Sequence, residues 1–348
     1  MRVLVMMSGG VDSSVAAALL RDDGHEVVGT TLKLWGGESD SGCCSVSDVD
    51  DARRVADRLG IDHHTFNFSE AFDSNVVDPY VADHARNRTP NPCIECNRHV
   101  KFDAVDERAR LLGFDAVATG HHARIVTRPD GTLRVARGAD RAKDQSYVVH
   151  VLDQARLART LFPIGHLAKA EVREIATRMG LRTASKPDSQ DVCFITRAQG
   201  RGSFLGDRIP LTPGRVVDVE GTRVGEVPAI ELVTVGQRRG LGLPGGTDPR
   251  YVLDVDPATS TVTVGSKDDL LVSSQRVEDL MWSAEAVTGT VEVQCSAHGR
   301  TAPAVVERGD GDGTTATVRW VRPQRRVAPG QSMVFYEGDS VAGGARSC

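Results

Sequence analysis

The sequence predicts an α/β unit built on a parallel sheet, followed by two small all-β units. Three observations carry this expectation. Over roughly the first 200 residues, apolar runs of strand length alternate with stretches of helical periodicity, the pattern of a parallel sheet with helices on both faces. Beyond about residue 200 the texture changes to short alternating runs punctuated by Gly and Pro, which is small β architecture. A chain of 348 residues is also too long for one compact core of usual size. The expected units are 1–200, 201–273 and 274–348, with the two β units joining near 270–275.

The elements follow in order. Val3-Leu4-Val5-Met6-Met7 is a first strand, which leads straight into Ser8-Gly9-Gly10-Val11-Asp12-Ser13-Ser14 and a helix ending at Gly24. Residues 26–34 read as a second strand. Residues 48–59 carry Val49, Ala52, Val55, Ala56 and Leu59 at helical spacing, closed by Gly60. A third strand is expected at 63–68, helices at 76–87 and 98–112, and a fourth strand at 115–119 running into Gly120. A helix at 171–179 precedes the polar stretch 186–191, which reads as a mobile loop. Strands are then expected at 215–219, 223–226, 251–255, 262–264, 289–295, 302–307, 314–319 and 332–336. Cys295 belongs to that pattern as a core residue. The last ten residues are small and polar and read as disordered, with Cys348 unstructured.

Composition narrows the class. Apolar content of 40% and charged content of 26% are ordinary for a soluble globular protein. A net charge of −5 argues against blanket nucleic-acid affinity and leaves local basic patches as the route to such a partner. No apolar run approaches the ~20 residues of a membrane helix, and the first residues enter a strand without a leader pattern. A cytoplasmic protein with no membrane association is therefore expected. Its seven cysteines should be reduced, metal-bound or catalytic rather than structural disulfides.

The first strand, the Gly-Gly turn and the following helix N-terminus form an anion cradle. Glycines let the backbone approach closely, unpaired helix N–H groups point at the ligand, and the hydroxyls of Ser8, Ser13 and Ser14 add donors. It is not a Walker A loop, because G-x-x-x-x-G-K-[ST] occurs nowhere in the chain. Ligands of such sheets sit at the carboxyl ends of the strands, where Ser8, Leu32 and Gly120 all fall. His121, directly after Gly120, is the histidine expected near the crevice. The pairs His63-His64 and His121-His122 lack metal-ligand spacing.

Two cysteine contexts stand out. In Pro90-Asn91-Pro92-Cys93-Ile94-Glu95-Cys96-Asn97, two prolines precede a helix expected to begin near Asn97 or Arg98, which sets Cys96 at or near a helix N-terminus. The dipole there favours the thiolate. Cys193 lies directly after the polar loop, placed to approach a second cysteine and withdraw, as persulfide and disulfide chemistry requires. Other readings stay open. Cys193 between Val192 and Phe194 can be a buried small hydrophobe, and Cys93 with Cys96 can be half a zinc site whose other ligands are not evident. Cys93, Cys96 and Cys193 together can hold an iron–sulfur cluster with an open iron, a reading not favoured here. Cys43 and Cys44 sit in a Gly- and Ser-rich loop and read as exposed thiols.

Basic patches complete the inventory. Residues 121–147 hold six cations (Arg124, Arg128, Arg134, Arg137, Arg141, Lys143) against Asp130, Asp140 and Asp144. Arg238-Arg239 is a second patch. In the run from Arg319 to Arg326, Trp320 adds an aromatic face suited to base stacking.

The order S-G-G-x-D-S resembles the loop of the ATP pyrophosphatase superfamily, adenine-nucleotide alpha-hydrolase-like enzymes that activate a substrate oxygen as its adenylate. Over essentially its whole length the chain resembles the bacterial tRNA-specific 2-thiouridylases. The likeness includes Arg88-Thr89-Pro90-Asn91-Pro92, Cys96-Asn97, Ala118-Thr119-Gly120-His121, Lys143-Asp144-Gln145-Ser146-Tyr147, Asp188-Ser189, Cys193-Phe194-Ile195, Gly236-Gln237-Arg238, Gly240-Leu241-Gly242 and Pro329-Gly330-Gln331-Ser332. The resemblance implies ATP with Mg²⁺ on Met6, Met7, Ser8, Gly9, Gly10, Val11, Asp12 and Ser13, with Leu32 and Gly120 near the nucleoside. It implies adenylation of O2 of a wobble uridine, sulfur arriving as a persulfide on Cys193 from a cysteine desulfurase or a relay protein, and Cys96 resolving it as a disulfide. Expected tRNA contacts are Asn91, Pro92, Cys93, His121, Lys143, Asp144, Gln145, Arg300 and Gln331, on tRNAs for Lys, Glu and Gln. Two positions depart from the family. Some relatives carry Asp at Cys93, and the family's Arg-Tyr-Arg is His298-Gly299-Arg300 here. Competing functions are another adenylating enzyme, such as an amide-bond synthetase, and a non-catalytic metal-containing RNA-binding protein.

Overall fold

The computed structural model describes residues 1–35, 46–188, 192–195, 199–244, 248–309 and 313–348. Cys43 and Cys44 lie outside the described residues, as do 189–191 of the loop at 186–191.

The N-terminal sheet is parallel throughout. Its strands are β1 (Arg2–Met6), β2 (Glu26–Lys33), β3 (Asp62–Asn67), β4 (Ala116–Ala118) and, later in the chain, β7 (Thr160–Leu161), in the order β3-β2-β1-β4-β7. Alternation along β1 builds two cores. Val3, Val5 and Met7 face helices α1 (Val11–Asp22), α2 (Val46–Leu59) and α5 (Lys169–Arg178). Leu4 and Met6 face α3 (69–85) and α4 (92–111), through Phe72, Tyr80, Ile94, Cys96 and Phe102. Helices therefore cover both faces, as the alternation predicts.

Both α3 and α4 start earlier than the sequence suggests. Asn91 caps α4 by accepting from the Cys93 N–H at 3.1 Å, with Pro92 in the first turn. Residues Cys96–Ala104 are π-helical, a geometry that periodicity of 3.6 cannot reveal.

A hairpin that sequence periodicity missed, β5 (Ala123–Thr127) and β6 (Leu133–Arg137), leaves the α/β unit and joins the far end of the chain. The central unit is a four-stranded sheet of β8 (Gly214–Val217), β9 (Arg223–Val227), β10 (Tyr251–Asp256) and β11 (Thr261–Gly265) around its own core. The last unit comprises β12 (Leu271–Trp282), β13 (Thr290–Gln294), β14 (Ala302–Arg308), β15 (Ala316–Arg325), β16 (Ser332–Glu337) and β17 (Ser340–Ser347). Pairing of β12 with both β15 and β17 closes these strands into a barrel, and β6 pairs with β17 outside it.

The terminal residues are thus a strand, not a disordered tail. β17 is held between β16 and β12, and Val341, Ala342 and Ser347 are completely buried. Its small residues are packing devices. A Cβ at Gly343 would strike the Met281 carbonyl oxygen, and one at Gly344 would lie 2.5 Å from the His150 ring. Even Cys348 is tied, its N–H donating to the Arg276 carbonyl at 3.2 Å.

Candidate active site

The loop after β1 is bound to β2 before it turns. Met7 N–H donates to the Thr30 carbonyl at 2.7 Å, and the Thr31 hydroxyl donates to the Met7 carbonyl at 2.8 Å. Gly9 has φ +69°, and a Cβ there would collide with the Asp48 carbonyl of α2, so this position requires glycine. Gly10 begins α1 with no side-chain cap, leaving first-turn N–H groups for an anion. Of the three hydroxyls expected as donors, Ser14 donates to the Gly10 carbonyl at 2.8 Å and Ser13 does so at 3.2 Å. Ser13 Oγ also accepts from Ser8 N–H at 3.1 Å. These two shape the loop; Ser8 is the exposed hydroxyl. Gly120 abuts the same turn, since a Cβ there would lie 2.5 Å from Ser13 N. Met6–Ser13, Leu32 and Gly120 therefore meet at the carboxyl ends of neighbouring strands β1, β2 and β4.

A charge network borders the cradle, and most of it escaped sequence reasoning. Lys169 Nζ bridges both Asp12 oxygens, at 2.8 and 2.7 Å, and Asp188 at 2.9 Å. His122 Nε2 lies 3.2 Å from Asp12, and Asp188 also receives Lys143 at 2.8 Å and Arg173 at 3.0 Å. Burial pushes the Asp12 carboxyl up, but the bonds from His122 and Lys169 outweigh it and hold it below the usual carboxylate range. At Asp188, burial is likewise outweighed, by Lys143 and Lys169, and the carboxyl falls to about 2. Lys186 Nζ reaches the Gly9 carbonyl at 3.0 Å, Asp48 at 2.6 Å and Asp51 at 2.8 Å. The start of the stretch read as mobile is thus pinned to the cradle. A signal for Lys169 existed in Ala168-Lys169-Ala170-Glu171, where Glu171 accepts from the Ala168 N–H at 2.7 Å and so starts α5 with Lys169 in its first turn.

The cysteines share one apolar cluster. Cys96 is buried within it, in the same cluster as Met6 and Leu32, and Cys193 packs on it half-buried. Because α4 begins at Pro92, Cys96 sits past the first turn, where the dipole has faded; Cys93, exposed, holds the first-turn position instead. Beside Cys193, Phe194 is buried among Phe72, Tyr80 and Phe204 at ring distances of 5.7, 5.4 and 5.2 Å. Among the described residues, no three His, Cys, Asp or Glu side chains gather as a metal site, so Cys93, Cys96 and Cys193 are not arranged as cluster ligands.

His121 is walled in rather than presented. Its Nδ1 lies 2.7 Å from the Thr119 hydroxyl, and Phe102 and Phe162 flank the ring at 6.0 and 5.9 Å. Burial keeps it neutral, its pKa well below the ordinary value. Phe102 belongs to α4, so Phe102, His121 and Gly120 link the cysteine helix to the cradle.

The other expected RNA contacts divide. Asn91 caps α4, and Pro92 is buried beneath it. Asp144 is buried and accepts from Arg137 at 2.8 Å, Gly138 N–H at 2.9 Å and the Ser146 hydroxyl at 2.9 Å. Gln145 holds the His122 N–H at 2.9 Å. Gln331 is half-buried beside β17, and Arg300 is exposed. The patch at 121–147 is neutralised in space. Arg124, Arg141 and Arg134 pair with Asp339 and Glu337, Lys143 with Asp188, and Arg137 and Arg128 with acids inside the segment. In the last patch Trp320 is buried in the barrel, Arg319 forks onto Glu307, and Arg326 reaches the central unit through the Leu253 carbonyl. Its aromatic face is therefore not available for stacking.

The fold and the loop define a class: an α/β unit of the adenine-nucleotide alpha-hydrolase type carrying two β units. Family profiles agree, matching a tRNA methyl transferase HUP domain at 1–197, a tRNA methyl transferase PRC-barrel domain at 202–266 and an aminomethyltransferase beta-barrel domain at 272–346. Full-length relatives named tRNA-specific 2-thiouridylase MnmA include one from Chloroflexus aurantiacus, 46% identical over 98% of this chain and 97% of its own. Another, from Acidothermus cellulolyticus, is 48% identical over 99% and 97%, and one from Mycolicibacterium gilvum is 49% identical over 97% and 96%. Among solved structures, a 4-thiouridine synthetase in an RNA complex with bound ATP aligns with a TM-score of 0.38 and 17% identity over 56% of this chain and 44% of its own, too distant to bear on the site. The chain belongs to the tRNA-specific 2-thiouridylase family.

Proposed function

We propose that this protein is a tRNA-uridine 2-sulfurtransferase that replaces O2 of a wobble uridine by sulfur at the expense of ATP. The observation that carries the reading is the linkage of the anion cradle to the cysteine helix through Gly120, His121 and Phe102, with Cys96 and Cys193 on one cluster. The ATP phosphates lie against the α1 N-terminus and Ser8, and the base sits between Asn91, Pro92, Cys93 and the nucleotide. Uridine O2 attacks the α-phosphorus and pyrophosphate leaves. The terminal sulfur of a Cys193 persulfide attacks C2, and AMP departs with the former O2. Cys96 thiolate then attacks the Cys193 sulfur that carried it, closing a disulfide that a reductant must reopen. Activation is needed because O2 is a poor leaving group until adenylated.

Mg²⁺ fits this arrangement, because it is bound through one or two carboxylates plus substrate phosphates and Asp12 stands at the cradle. Bound there, the ion would neutralise phosphate charge. Lys169 holds the Asp12 carboxylate in place and adds a cation beside it. The three-unit division near 200 and 273 is proposed to separate catalysis from tRNA contact, with Arg300 and Gln331 on the barrel side. The sulfur donor is a cysteine desulfurase or relay protein, the substrates are tRNAs for Lys, Glu and Gln, and the compartment is the cytoplasm. No described helix is long and apolar enough to cross a membrane.

The test is Cys193→Ser with an unmodified tRNA. We expect thiolation to fall by more than about 10²-fold while tRNA-dependent pyrophosphate release persists. Undiminished thiolation would remove Cys193 from the reaction. Loss of both activities in a folded variant would place Cys193 in activation instead.

A further inference from the structure

We propose that a cleft between α2 and the end of α5, behind the cradle, is a binding site for phosphate groups. Its volume is about 260 Å³, and Arg54, Arg58 and Arg182 line it together with Asp51. Residues 51, 54, 55 and 58 recur at helical spacing, so one face of α2 forms a wall. The opposite wall is the turn that ends α5, where Gly180 has φ +63°.

The cleft is built, not a chance meeting of long side chains. Arg58 Nε donates to the Met179 carbonyl at 2.7 Å, and its guanidinium occupies the space that a Cβ at Gly180 would need. That contact fixes one cation in the cleft. Arg54 and Arg182 are exposed and have no hydrogen bond or ion pair among the described residues. This contrasts with the paired cations of 121–147. The lining carboxylate, Asp51, is engaged by Lys186 at 2.8 Å. Three guanidinium groups thus line one cleft whose single lining carboxylate, Asp51, is held by Lys186. Planar donor forks of this kind match the oxygens of a phosphate.

The position gives such a ligand a mechanical connection. On α2, Asp48 and Asp51 hold Lys186, and Lys186 holds the Gly9 carbonyl. A phosphate seated on Arg54, Arg58 and Arg182 braces the helix that backs the cradle. The phosphate could be a backbone diester of tRNA or free inorganic phosphate; the diester source rests on the proposed function, the free anion does not.

The experiment compares the full-length protein with the double variant Arg54→Ala/Arg182→Ala, leaving Arg58 in place. With the cradle filled by a non-hydrolysable ATP analogue, inorganic phosphate is titrated calorimetrically. Separately, tRNA affinity is measured from low to moderate salt. Free phosphate as the ligand predicts one site, weakened at least about tenfold in the variant. A tRNA diester predicts a salt slope shallower by about one to two units in the variant. Identical phosphate isotherms and identical tRNA slopes in the two proteins would overturn the site. If the native protein binds no tRNA, the functional reading fails and the phosphate titration alone decides the cleft.

Discussion

Lys169 makes two carboxylates tolerable at the mouth of an anion site. Without it, Asp12 and Asp188 would both repel polyphosphate. Lys169→Met is therefore expected to raise the KM for ATP and lower tRNA-dependent pyrophosphate release by about 10²-fold, whereas Lys169→Arg recovers part of the loss. Equal behaviour of the two variants in steady-state kinetics would contradict this role. Gly120→Ala tests the junction of β4 with α1. Its methyl group must displace the backbone at Ser13, which we expect to cost about 1–3 kcal/mol in urea unfolding and to abolish nucleotide binding. At this scale the sequence was legible where chemistry is local, as in Ser8–Ser14 and Gly120. It was silent where partners are distant. Nothing near Lys169 announces Asp12, 157 residues away, and nothing in 121–147 announces Asp339.

The segment Arg88–Asn91 shows how elements depend on one another. Thr89 N–H donates to the Pro329 carbonyl at 2.7 Å, and the Thr89 hydroxyl lies 3.1 Å from that of Thr234. Arg88 pairs with Glu278, whose carboxylate Arg346 also approaches at 3.3 Å, and Arg346 reaches Asp83 of α3 at the same distance. Both β units thus grip the residues that precede the cap of α4. Arg88→Ala is expected to slow thiolation at saturating tRNA while leaving the KM for ATP unchanged, and Arg88→Lys to restore part of the rate. A parallel loss of ATP affinity would show that the clamp serves the whole fold instead. Periodicity found the strands and helices that pack on one face. It placed the starts of α3 and α4 late because both run through π-helical turns, and it missed the β5–β6 hairpin because Arg124, Arg134 and Arg137 interrupt its apolar residues and neither strand alternates cleanly.

Buried histidines govern the whole molecule in acid. His84, which faces the Glu231 carbonyl of the central unit at 3.1 Å, and His150, packed under Gly344, are both lowered by burial to about 4. The folded protein keeps them neutral, while the unfolded chain takes up protons below its ordinary pKa of about 6.5. Stability is therefore full above pH 6.5 and falls as pH drops towards 4, by up to about 3 kcal/mol for each histidine. Asp188, lowered to about 2, adds a second loss below about pH 4. Urea midpoints flat from pH 7 to 5 would contradict the first step. The three-unit plan was legible in the change of texture near residue 200. The closure of the barrel by the final strand was not, because small residues that permit close packing look the same in sequence as those of a disordered tail.

The most direct measurement is a single turnover of iron-free protein carrying a radiolabelled persulfide on Cys193, with ATP, Mg²⁺ and an unmodified tRNA for Glu under anaerobic conditions. The account predicts label in the wobble base, AMP formed in equal amount, and a Cys96–Cys193 disulfide in the spent protein. Label remaining on the protein until an iron–sulfur cluster is rebuilt would contradict it.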